Sequence, residues 1–397
     1  MSASRLPSLS PVIIRLGALG DMILLGSLAH FLRCRYGRPC LLIGTGHWSE
    51  PVTRGNPDVE RAWSLARHRP FVLDPAWWQA LPALKDSAPG PIYVCEDAKL
   101  ARVERLLKVS GIDRERCVFI TDEPQPNNPD EHYLELLERF GQRTPEAVTR
   151  MAGAHAYPAP AMIAGPRLTV LQSERNERDA WIDARGWCGR QLILVQPGNR
   201  RTMSTQRERY RRFNRDDKAW PVPRWSALLR QVHARMPDAV IVLSGGDQEL
   251  GLLRRIQAAT GLSAVVPCTL RLRQLFALCE LAHSMISVDS GPAHAAAALS
   301  VPLVTMFGSA SPRRWLARSP GSPVIQVGGP PEVERIDQIS VEAVFEAWCR
   351  LPRVRSDAAV LTPERRAAVP LLARSGPLPL PRPVADAHGP GSELKLG

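Results

Sequence analysis

The stretch Val12–Leu28, VIIRLGALGDMILLGSL, connects a short apolar run to a helical run through a loop that contains two glycines. Val12–Ile14 is typical of a buried β-strand, and the residues after the loop are typical of a helix. Gly17 and Gly20 permit positive φ angles and a close approach by a ligand. Asp21 stands where the helix begins, so it is either a helix N-cap or a functional carboxylate beside a ligand.

The strand–loop–helix pattern of this stretch recurs along the chain. The first series has the strand candidates CLLIGTG, PIYVC, CVFIT and PRLTVL, and a helix candidate, DEHYLELLERFG, that Gly141 would end. The second series has the strand candidates LILVQPG, AVIVLSGG, SAVVP, SMISVDSG, PLVTMFG and PVIQVG. Strands that alternate with helices indicate parallel sheets in an α/β fold. We therefore predict two similar domains, residues 1–175 and 186–350, with a cleft between them.

The composition of the 397 residues is that of a folded protein, since 44% of them are hydrophobic. No segment has about 18 consecutive apolar residues, and the amino terminus lacks the long apolar core of a secretory signal, so we expect no transmembrane helix. The eight cysteines form no CxxC pair and no zinc-like spacing, which indicates free thiols in a reducing cytoplasm. Residues 352–397 are rich in Pro, Ala and Arg, and we predict a disordered tail there.

Positive charge is concentrated between Arg200 and Lys218, in a chain whose net charge is +12. This basic segment has eight basic and three acidic residues. It is either a solvated surface or a binding site for an anionic partner, such as a phosphate, an acidic sugar, a membrane headgroup or a nucleic acid. Tyr210 and Phe213 are its aromatic residues, and so few aromatic side chains disfavour nucleic acid.

The sequence ISVDSGPAHAAAALS forms a second strand–loop–helix junction. The strand would end at Asp289, and Pro292 suits the first turn of the following helix. The backbone amides of Ser290 and Gly291 would then point at one spot, which is an anion-binding arrangement. His294, one turn into the helix, is either a buried structural residue or a donor to a phosphate.

The basic segment directly follows a third strand end, Gln196-Pro197-Gly198, with polar Asn199 after it. A loop in this position overhangs the cleft, because ligands bind beyond the carboxyl ends of strands in α/β sheets. Lys218, at the end of the basic segment, could neutralise the diphosphate of a departing nucleotide.

Four motifs, taken in order, resemble those of glycosyltransferase family 9, the ADP-heptose:lipopolysaccharide heptosyltransferases. Residues 15–22 match the pattern R-[LF]-x-x-[LI]-G-D-[IVM], and residues 196–198 with 218–225 match [HQ]-P-G…K-x-W-P-x-x-[RN]-W. Residues 287–297 match S-x-D-[ST]-G-x-x-H-x-A-[AS], and residues 302–308 match P-x-[VL]-x-x-F-G. The resemblance covers residues 12–350.

This resemblance implies a GT-B fold, in which two Rossmann-like domains face each other across a cleft. The acceptor would bind to the amino-terminal domain and the nucleotide-sugar donor to the carboxyl-terminal domain. The last helix, residues 340–350, would pack back on the amino-terminal domain. The implied reaction inverts the anomeric configuration and needs no metal ion and no cofactor.

The resemblance also implies roles for individual residues. Asp21 would be the catalytic base that removes the proton of the acceptor hydroxyl, and Lys218 the catalytic cation beside the diphosphate. The expected donor-binding residues are Gly198, Asn199, Asp247, Asp289, Ser290, Gly291 and His294. The expected acceptor-binding residues are Arg15, Gly17, Gly20, Arg211 and Arg212.

The basic segment departs from the family pattern, because about twenty residues separate Gly198 from Lys218. We expect ADP-heptose as the donor and a lipopolysaccharide core or a related anionic glycan as the acceptor. A transferase with another donor or a protein acceptor is an alternative, and so is a basic module that binds nucleic acid or membrane. A lipid-linked acceptor would place the protein in the cytoplasm, peripherally at the inner face of the inner membrane.

Overall fold

Two parallel β-sheets flanked by helices form the framework of the chain, as seen in a computed structural model. The structure describes residues 6–66, 70, 73–124, 130–153, 155–199 and 217–352. Contacts group Met1–Val360 into one unit and Leu361–Gly397 into another. The second unit lies outside the described residues, as does the predicted disordered tail beyond Pro352. The domain boundary expected between residues 175 and 186 stays a prediction, because the contacts group both sheets into the first unit.

The amino-terminal sheet is formed within the described residues by β1 (Val12–Ile14), β2 (Cys40–Thr45), β3 (Val59–Leu65), β4 (Ile92–Val94) and β5 (Cys117–Phe119). Its strands are all parallel, in the order β3-β2-β1-β4-β5. β1, β2, β4 and β5 are fully buried, which explains why they are short apolar runs rather than alternating ones. The chain reverses its winding between β1 and β4, and ligands of such sheets bind beyond the strand ends at that point.

The carboxyl-terminal sheet is formed within the described residues by β6 (Leu192–Gln196), β7 (Val240–Gly245), β8 (Val265–Thr269), β9 (Ser284–Val288), β10 (Leu303–Phe307) and β11 (Val324–Gly328). These strands are also parallel, in the order β11-β10-β9-β6-β7-β8. The winding reverses between β6 and β9, so the loops after these two strands meet at one edge. The predicted α/β class with two parallel sheets is confirmed.

Helices cover both sheets. In the amino-terminal half they are α1 (Leu19–Tyr36), α2 (Ser49–Thr53), α3 (Pro75–Asp86), α4 (Leu100–Val109), α5 (Tyr133–Gln142), α6 (Glu146–Ala152) and α7 (Gln172–Asp183), with 3-10 turns at Arg114–Arg116 and Ile120–Asp122. In the carboxyl-terminal half they are α8 (Val222–Arg235), α9 (Leu250–Thr260), α10 (Leu272–Cys279), α11 (Gly291–Ala298), α12 (Pro312–Trp315) and α13 (Val341–Cys349), with 3-10 turns at Asp247–Glu249 and Ile336–Gln338. The predicted last helix at 340–350 corresponds to α13. Its buried side chains Val344, Ala347 and Trp348 belong to the core of the carboxyl-terminal half, contrary to the packing on the amino-terminal domain that the resemblance implies.

Two predictions about local structure are wrong. Residues 166–171, PRLTVL, form no strand, and two of their backbone groups bond to side chains. The N–H of Leu171 donates to Glu174 (2.9 Å), and the carbonyl of Thr169 accepts from Arg273 (2.8 Å). Gly141 does not end its helix but lies inside α5, where a Cβ atom would come within 2.9 Å of Phe31. That glycine therefore permits close packing of α5 on α1.

The two halves share buried apolar side chains. The core cluster built on α1 also contains Phe276 and Ala277 of α10 and Ala295 and Ala298 of α11. Such shared burial fixes the relative position of α1 and α11, because side chains in a close-packed interior cannot slide freely. The first turns of these two helices lie side by side, since a Cβ atom at Gly291 would come within 2.7 Å of Leu19.

Candidate active site

Asp21 lies in the first turn of α1. Ala18 is the N-cap residue, so Asp21 is not the N-cap that the sequence left open as an alternative. Its Oδ2 atom accepts a hydrogen bond of 2.7 Å from the backbone N–H of Ala18. Its Oδ1 atom lies 3.4 Å from Nη2 of Arg15, and the side chain is 17% exposed. The carboxylate is thus fixed just beyond β1 and is still open to solvent on one side.

Arg15 links the loop after β1 to the end of β4. Its Nη1 atom donates to the carbonyl of Cys95 (2.6 Å) and lies 3.3 Å from Oδ1 of Asp97. Burial opposes the positive charge of this side chain, but Tyr133 and the surrounding carboxylates raise the pKa of Arg15 above its ordinary value. Arg15, which we expected to bind the acceptor, is therefore a fixed cation next to Asp21.

Glu96 and Lys99 hold the backbone of this loop, and the sequence reasoning missed both of them. The buried Glu96 carboxylate accepts the N–H of Leu16 at 2.8 Å and that of Lys99 at 3.1 Å. The Lys99 ammonium group in turn donates to the carbonyl of Leu16 at 2.6 Å. The signal that could have found Glu96 is its place directly after the strand PIYVC, beside the strand that leads to Asp21.

Gly17 and Gly20 lie at closely packed positions. Neither has a positive φ angle. A Cβ atom at Gly17 would lie 2.5 Å from Oδ2 of Asp21 and 2.7 Å from Nε of Arg15. A Cβ atom at Gly20 would lie 3.1 Å from Cδ2 of His294. The first glycine therefore leaves room for the Asp21–Arg15 pair, and the second lets α1 approach the other half of the molecule.

The loop after β9 holds an ion pair. The Nζ atom of Lys218 lies 2.5 Å from Oδ2 of Asp289 and 3.4 Å from its carbonyl oxygen. Ser290 is the N-cap residue of α11, and no side-chain cap bonds to the first N–H groups of this helix. These amides and the Lys218 ammonium group lie at the same end of the carboxyl-terminal sheet. Together they form an arrangement that suits an anionic ligand.

His294 lies one turn into α11 and is buried, with 6% of its surface exposed. Burial lowers its pKa, although Asp289 and Asp21 act in the opposite direction. The ring is therefore neutral at pH 7. Its Nδ1 atom is buried and has no hydrogen-bond partner among the described residues. A neutral ring with one unused nitrogen can still donate to or accept from a bound molecule.

The third expected loop, after β6, is held by its own side chains. The amide of Gln196 donates to the carbonyl of Gly198 (3.2 Å), and Ser244 donates to Oε1 of Gln196 (3.0 Å). The amide nitrogen of Asn199 lies 3.4 Å from the carbonyl of Lys218, to which it donates. The Asn199–Lys218 bond joins the residue before the basic segment to the last residue of that segment.

Asp247 follows β7, the parallel neighbour of β6, at the same edge of the carboxyl-terminal sheet. It begins the 3-10 turn after β7 and is exposed. Within the same turn Glu249 is buried, and its Oε2 atom accepts the N–H of Gly246 at 2.9 Å. Arg211 and Arg212, the other expected acceptor-binding residues, lie outside the described residues.

The two groups of candidate residues meet where α1 contacts α11. Gly20 lies against the His294 ring, and a Cβ atom at Gly291 would come within 2.7 Å of Leu19. Asp21 lies next to Gly20, and its negative charge acts to raise the pKa of His294. The structure thus brings Asp21 and Arg15 of one half close to Lys218, Asp289, Ser290, Gly291 and His294 of the other.

A second contact between the halves flanks the first, and the sequence reasoning did not identify it. Nε2 of His132, the N-cap residue of α5, lies 2.9 Å from the carbonyl oxygen of Leu316. The ring of Tyr133 stacks on that of Trp315, with 5.1 Å between the ring centres. The hydroxyl group of Tyr133 is buried near Arg15, and it has no hydrogen-bond partner in the described part of the chain.

Comparison with known protein families points to one family. The model of glycosyltransferase family 9 (heptosyltransferase) matches residues 209–337. The predicted resemblance to glycosyltransferase family 9 is confirmed. The family match covers Lys218 and the loop from Asp289 to His294, so the chain is a relative of glycosyltransferases.

A curated relative agrees with the family 9 match. The chain is 26% identical over 129 residues to lipopolysaccharide heptosyltransferase 3 of Escherichia coli. This alignment spans 32% of the chain and 34% of that relative, so it covers about a third of either protein.

Several solved glycosyltransferase structures have the same fold. The ADP-heptose lipopolysaccharide heptosyltransferase II of E. coli aligns with a TM-score of 0.61 at 20% identity, over 86% of this chain and 97% of the other. A family 9 glycosyltransferase from Veillonella parvula aligns with a TM-score of 0.64 at 15% identity, over 87% and 98%. The E. coli heptosyltransferase WaaC, solved with ADP, aligns with a TM-score of 0.53 at 17% identity, over 85% and 98%. These likenesses confirm the GT-B fold.

None of the helices in the described part of the chain is long and apolar enough to cross a membrane.

Proposed function

We propose that this chain is an inverting glycosyltransferase that moves a sugar from a nucleotide-sugar donor to a hydroxyl group of a glycan acceptor. The observation that carries this proposal is the contact between the first turns of α1 and α11. It puts a fixed carboxylate, Asp21, close to an anion-binding arrangement of Lys218 and the amides after β9. Inverting transfer needs this pairing, because a base must act on one side of the sugar while the leaving group departs on the other.

Asp21 would remove the proton from the acceptor hydroxyl. One bond to the Ala18 N–H and one contact with Arg15 leave its two oxygens with unused lone pairs. As the proton moves to the carboxylate, the acceptor oxygen bonds to the anomeric carbon and the bond from that carbon to the diphosphate breaks. Arg15 and the Glu96–Lys99 pair would keep the carboxylate in position during this step.

Lys218 would stabilise the departing diphosphate. Its side chain is 26% exposed and its ammonium group is held by Asp289, so it can donate to a phosphate without a large change in position. The amides of Ser290 and Gly291 would add neutral donors at the helix end, where the helix dipole also favours negative charge. Because this cation and these amides would neutralise the charge of the diphosphate, we propose a reaction that needs no metal ion.

The donor we propose is ADP-heptose, and the acceptor is a lipopolysaccharide core or a related anionic glycan. The family match and the relatives that are named as lipopolysaccharide heptosyltransferases support both choices. Such an acceptor is lipid-linked, so we further propose that the protein works in the cytoplasm, peripherally at the inner face of the inner membrane. The net charge of +12 suits that anionic surface.

The test of this proposal is nucleotide selectivity, measured as the rise in the Tm of the full chain with ADP, UDP, GDP or a DNA oligonucleotide. We expect ADP to stabilise selectively, by about 2.7 kcal/mol at a concentration of roughly 100 times its Kd. Lys218→Met should lose most of this rise, while Lys108→Met, on the exposed side of α4, should retain it. Stabilisation by the oligonucleotide without any nucleotide effect would contradict the proposal.

A further inference from the structure

A cysteine, a histidine and an aspartate form a chain of contacts near the end of α1. His30 and Cys34 are four residues apart, so they lie on the same face of the helix. Nε2 of His30 lies 3.7 Å from Sγ of Cys34. Nδ1 of His30 lies 3.1 Å from Oδ2 of Asp58. The imidazole ring therefore connects an exposed thiol to a buried carboxylate.

Asp58 fixes the orientation of the histidine. Its side chain is 1% exposed, and its Oδ1 atom accepts from Nη1 of Arg33 at 3.0 Å. A carboxylate next to Nδ1 favours the tautomer in which that nitrogen carries the proton. Nε2 of His30 then has a free lone pair directed at the thiol of Cys34. This is the arrangement of nucleophile, base and orienting acid that activates a cysteine.

The chain of contacts is distinct from the candidate active site. Cys34 comes 13 residues after Asp21 in the same helix, which places the two about 20 Å apart along the helix axis. The backbone N–H groups around Cys34 lie inside α1 and bond within the helix. The amino-terminal end of α1, whose free N–H groups could stabilise the oxyanion of an acyl transfer, lies at the other end of the helix. Attack on a disulfide requires only an activated, accessible thiol.

We propose that Cys34, His30 and Asp58 form a nucleophilic thiol site whose substrate is a small disulfide of the glutathione type. His30 takes the proton of Cys34, and the thiolate attacks one sulfur of the disulfide. A new S–S bond joins that sulfur to Cys34, the original S–S bond breaks, and the leaving thiolate receives the proton from His30. The product is a mixed disulfide at Cys34 together with one free thiol, so atoms and electrons balance.

The chain contains its own control for this reaction. All eight cysteines lie in the described residues, and Cys34 and Cys349 are the exposed ones. Cys349 has no hydrogen bond to a histidine among the described residues, so its rate measures an exposed thiol without a base. Both rates come from one experiment, in which the reduced full chain is treated with glutathione disulfide and peptides are mapped by mass spectrometry over time.

We expect Cys34 to form the mixed disulfide about tenfold faster than Cys349 near pH 7, because a neighbouring base accelerates deprotonation. His30→Gln should lower the Cys34 rate to that of Cys349. The unchanged Cys349 rate in this variant checks that the fold is intact. Equal rates of the two cysteines in the unmodified chain would overturn the proposal, and so would a Cys34 rate that His30→Gln leaves unchanged.

Discussion

At the scale of single residues, the position of Asp21 depends on neighbours that are far away in sequence. Arg15 is anchored on Cys95 and Asp97, and Leu16 is held from both sides by Glu96 and Lys99. The loop between β1 and α1 is thus fixed by the segment that follows β4. A base has to be held in one orientation to be effective, so this segment contributes to the proposed reaction without touching the substrate.

Glu96→Gln tests this positioning. Glutamine can accept one of the two backbone N–H groups but would point its own N–H groups at the other, which should cost about 1–3 kcal/mol of stability. We expect kcat for transfer to fall roughly tenfold, because the loop that carries Asp21 loosens. The affinity for ADP, which binds to the other half in our proposal, should not change.

Glu104→Gln is the matched control for that experiment, because Glu104 forms an exposed ion pair with Arg114 in the same half. Steady-state kinetics with both substrates would measure kcat and KM for the two variants. A Glu96→Gln variant with the kcat of the unmodified chain would show that the loop does not need this carboxylate.

At the scale of elements, the sequence predicted the strand ends well and the contacts between elements poorly. β1, β6 and β9 end where the apolar runs stop, and the polar residues that follow were found as loop residues. Glu96 and His132 were not found, because their roles depend on which strands and helices become neighbours. The wrong prediction for Gly141 has the same cause, because a glycine that ends a helix and a glycine that permits close packing look alike in sequence.

The contact between α1 and α11 is the element-level feature on which the site depends. Gly291→Ala would place a methyl group 2.7 Å from Leu19, so one of the two helices must shift. We expect a loss of about 1–3 kcal/mol of stability and a lower kcat. Gly251→Ala is the control, because a Cβ atom there would meet nothing within 4 Å in α9. It should stabilise the chain by roughly 0.5–1 kcal/mol.

Urea unfolding of both variants measures these changes. A Gly291→Ala variant that is as stable as the unmodified chain would mean that the two helices are not held as closely as the structure indicates.

At the scale of the whole molecule, the two halves meet through an apolar core, through the α1–α11 contact and through His132 with Leu316. The sequence predicted two halves with a cleft, and it could not predict which side chains join them. His132 and Trp315 belong to segments with no recognised motif. His132 meets Leu316, and Tyr133 meets Trp315, only when the two halves pack together.

The pH dependence of stability follows from the two buried histidines at this junction. Burial lowers the pKa of both His132 and His294 in the folded state. As the pH falls, the two histidines become protonated in the unfolded chain first, near pH 6.5. The free energy of unfolding therefore decreases as the pH falls below that value towards the pKa of the folded state. The slope should be at most about 1.4 kcal/mol per pH unit for each histidine.

His132→Gln tests this dependence. Urea unfolding between about pH 7.5 and about pH 5 should give a smaller slope for the variant than for the unmodified chain, since one titrating group is removed. The same slope in both proteins would contradict a neutral, buried His132 at the junction.

Whether Asp21 is the base can be measured as sugar transfer by the Asp21→Asn variant, with ADP-heptose as donor and a panel of truncated lipopolysaccharide cores as acceptors. Asparagine keeps the size of the side chain but cannot take a proton, so we predict a fall in kcat of at least about 100-fold with the affinity for ADP unchanged. Asp97→Asn, which also removes a carboxylate next to Arg15, should retain most of the activity. Full turnover by Asp21→Asn would contradict the claim that this carboxylate is the base.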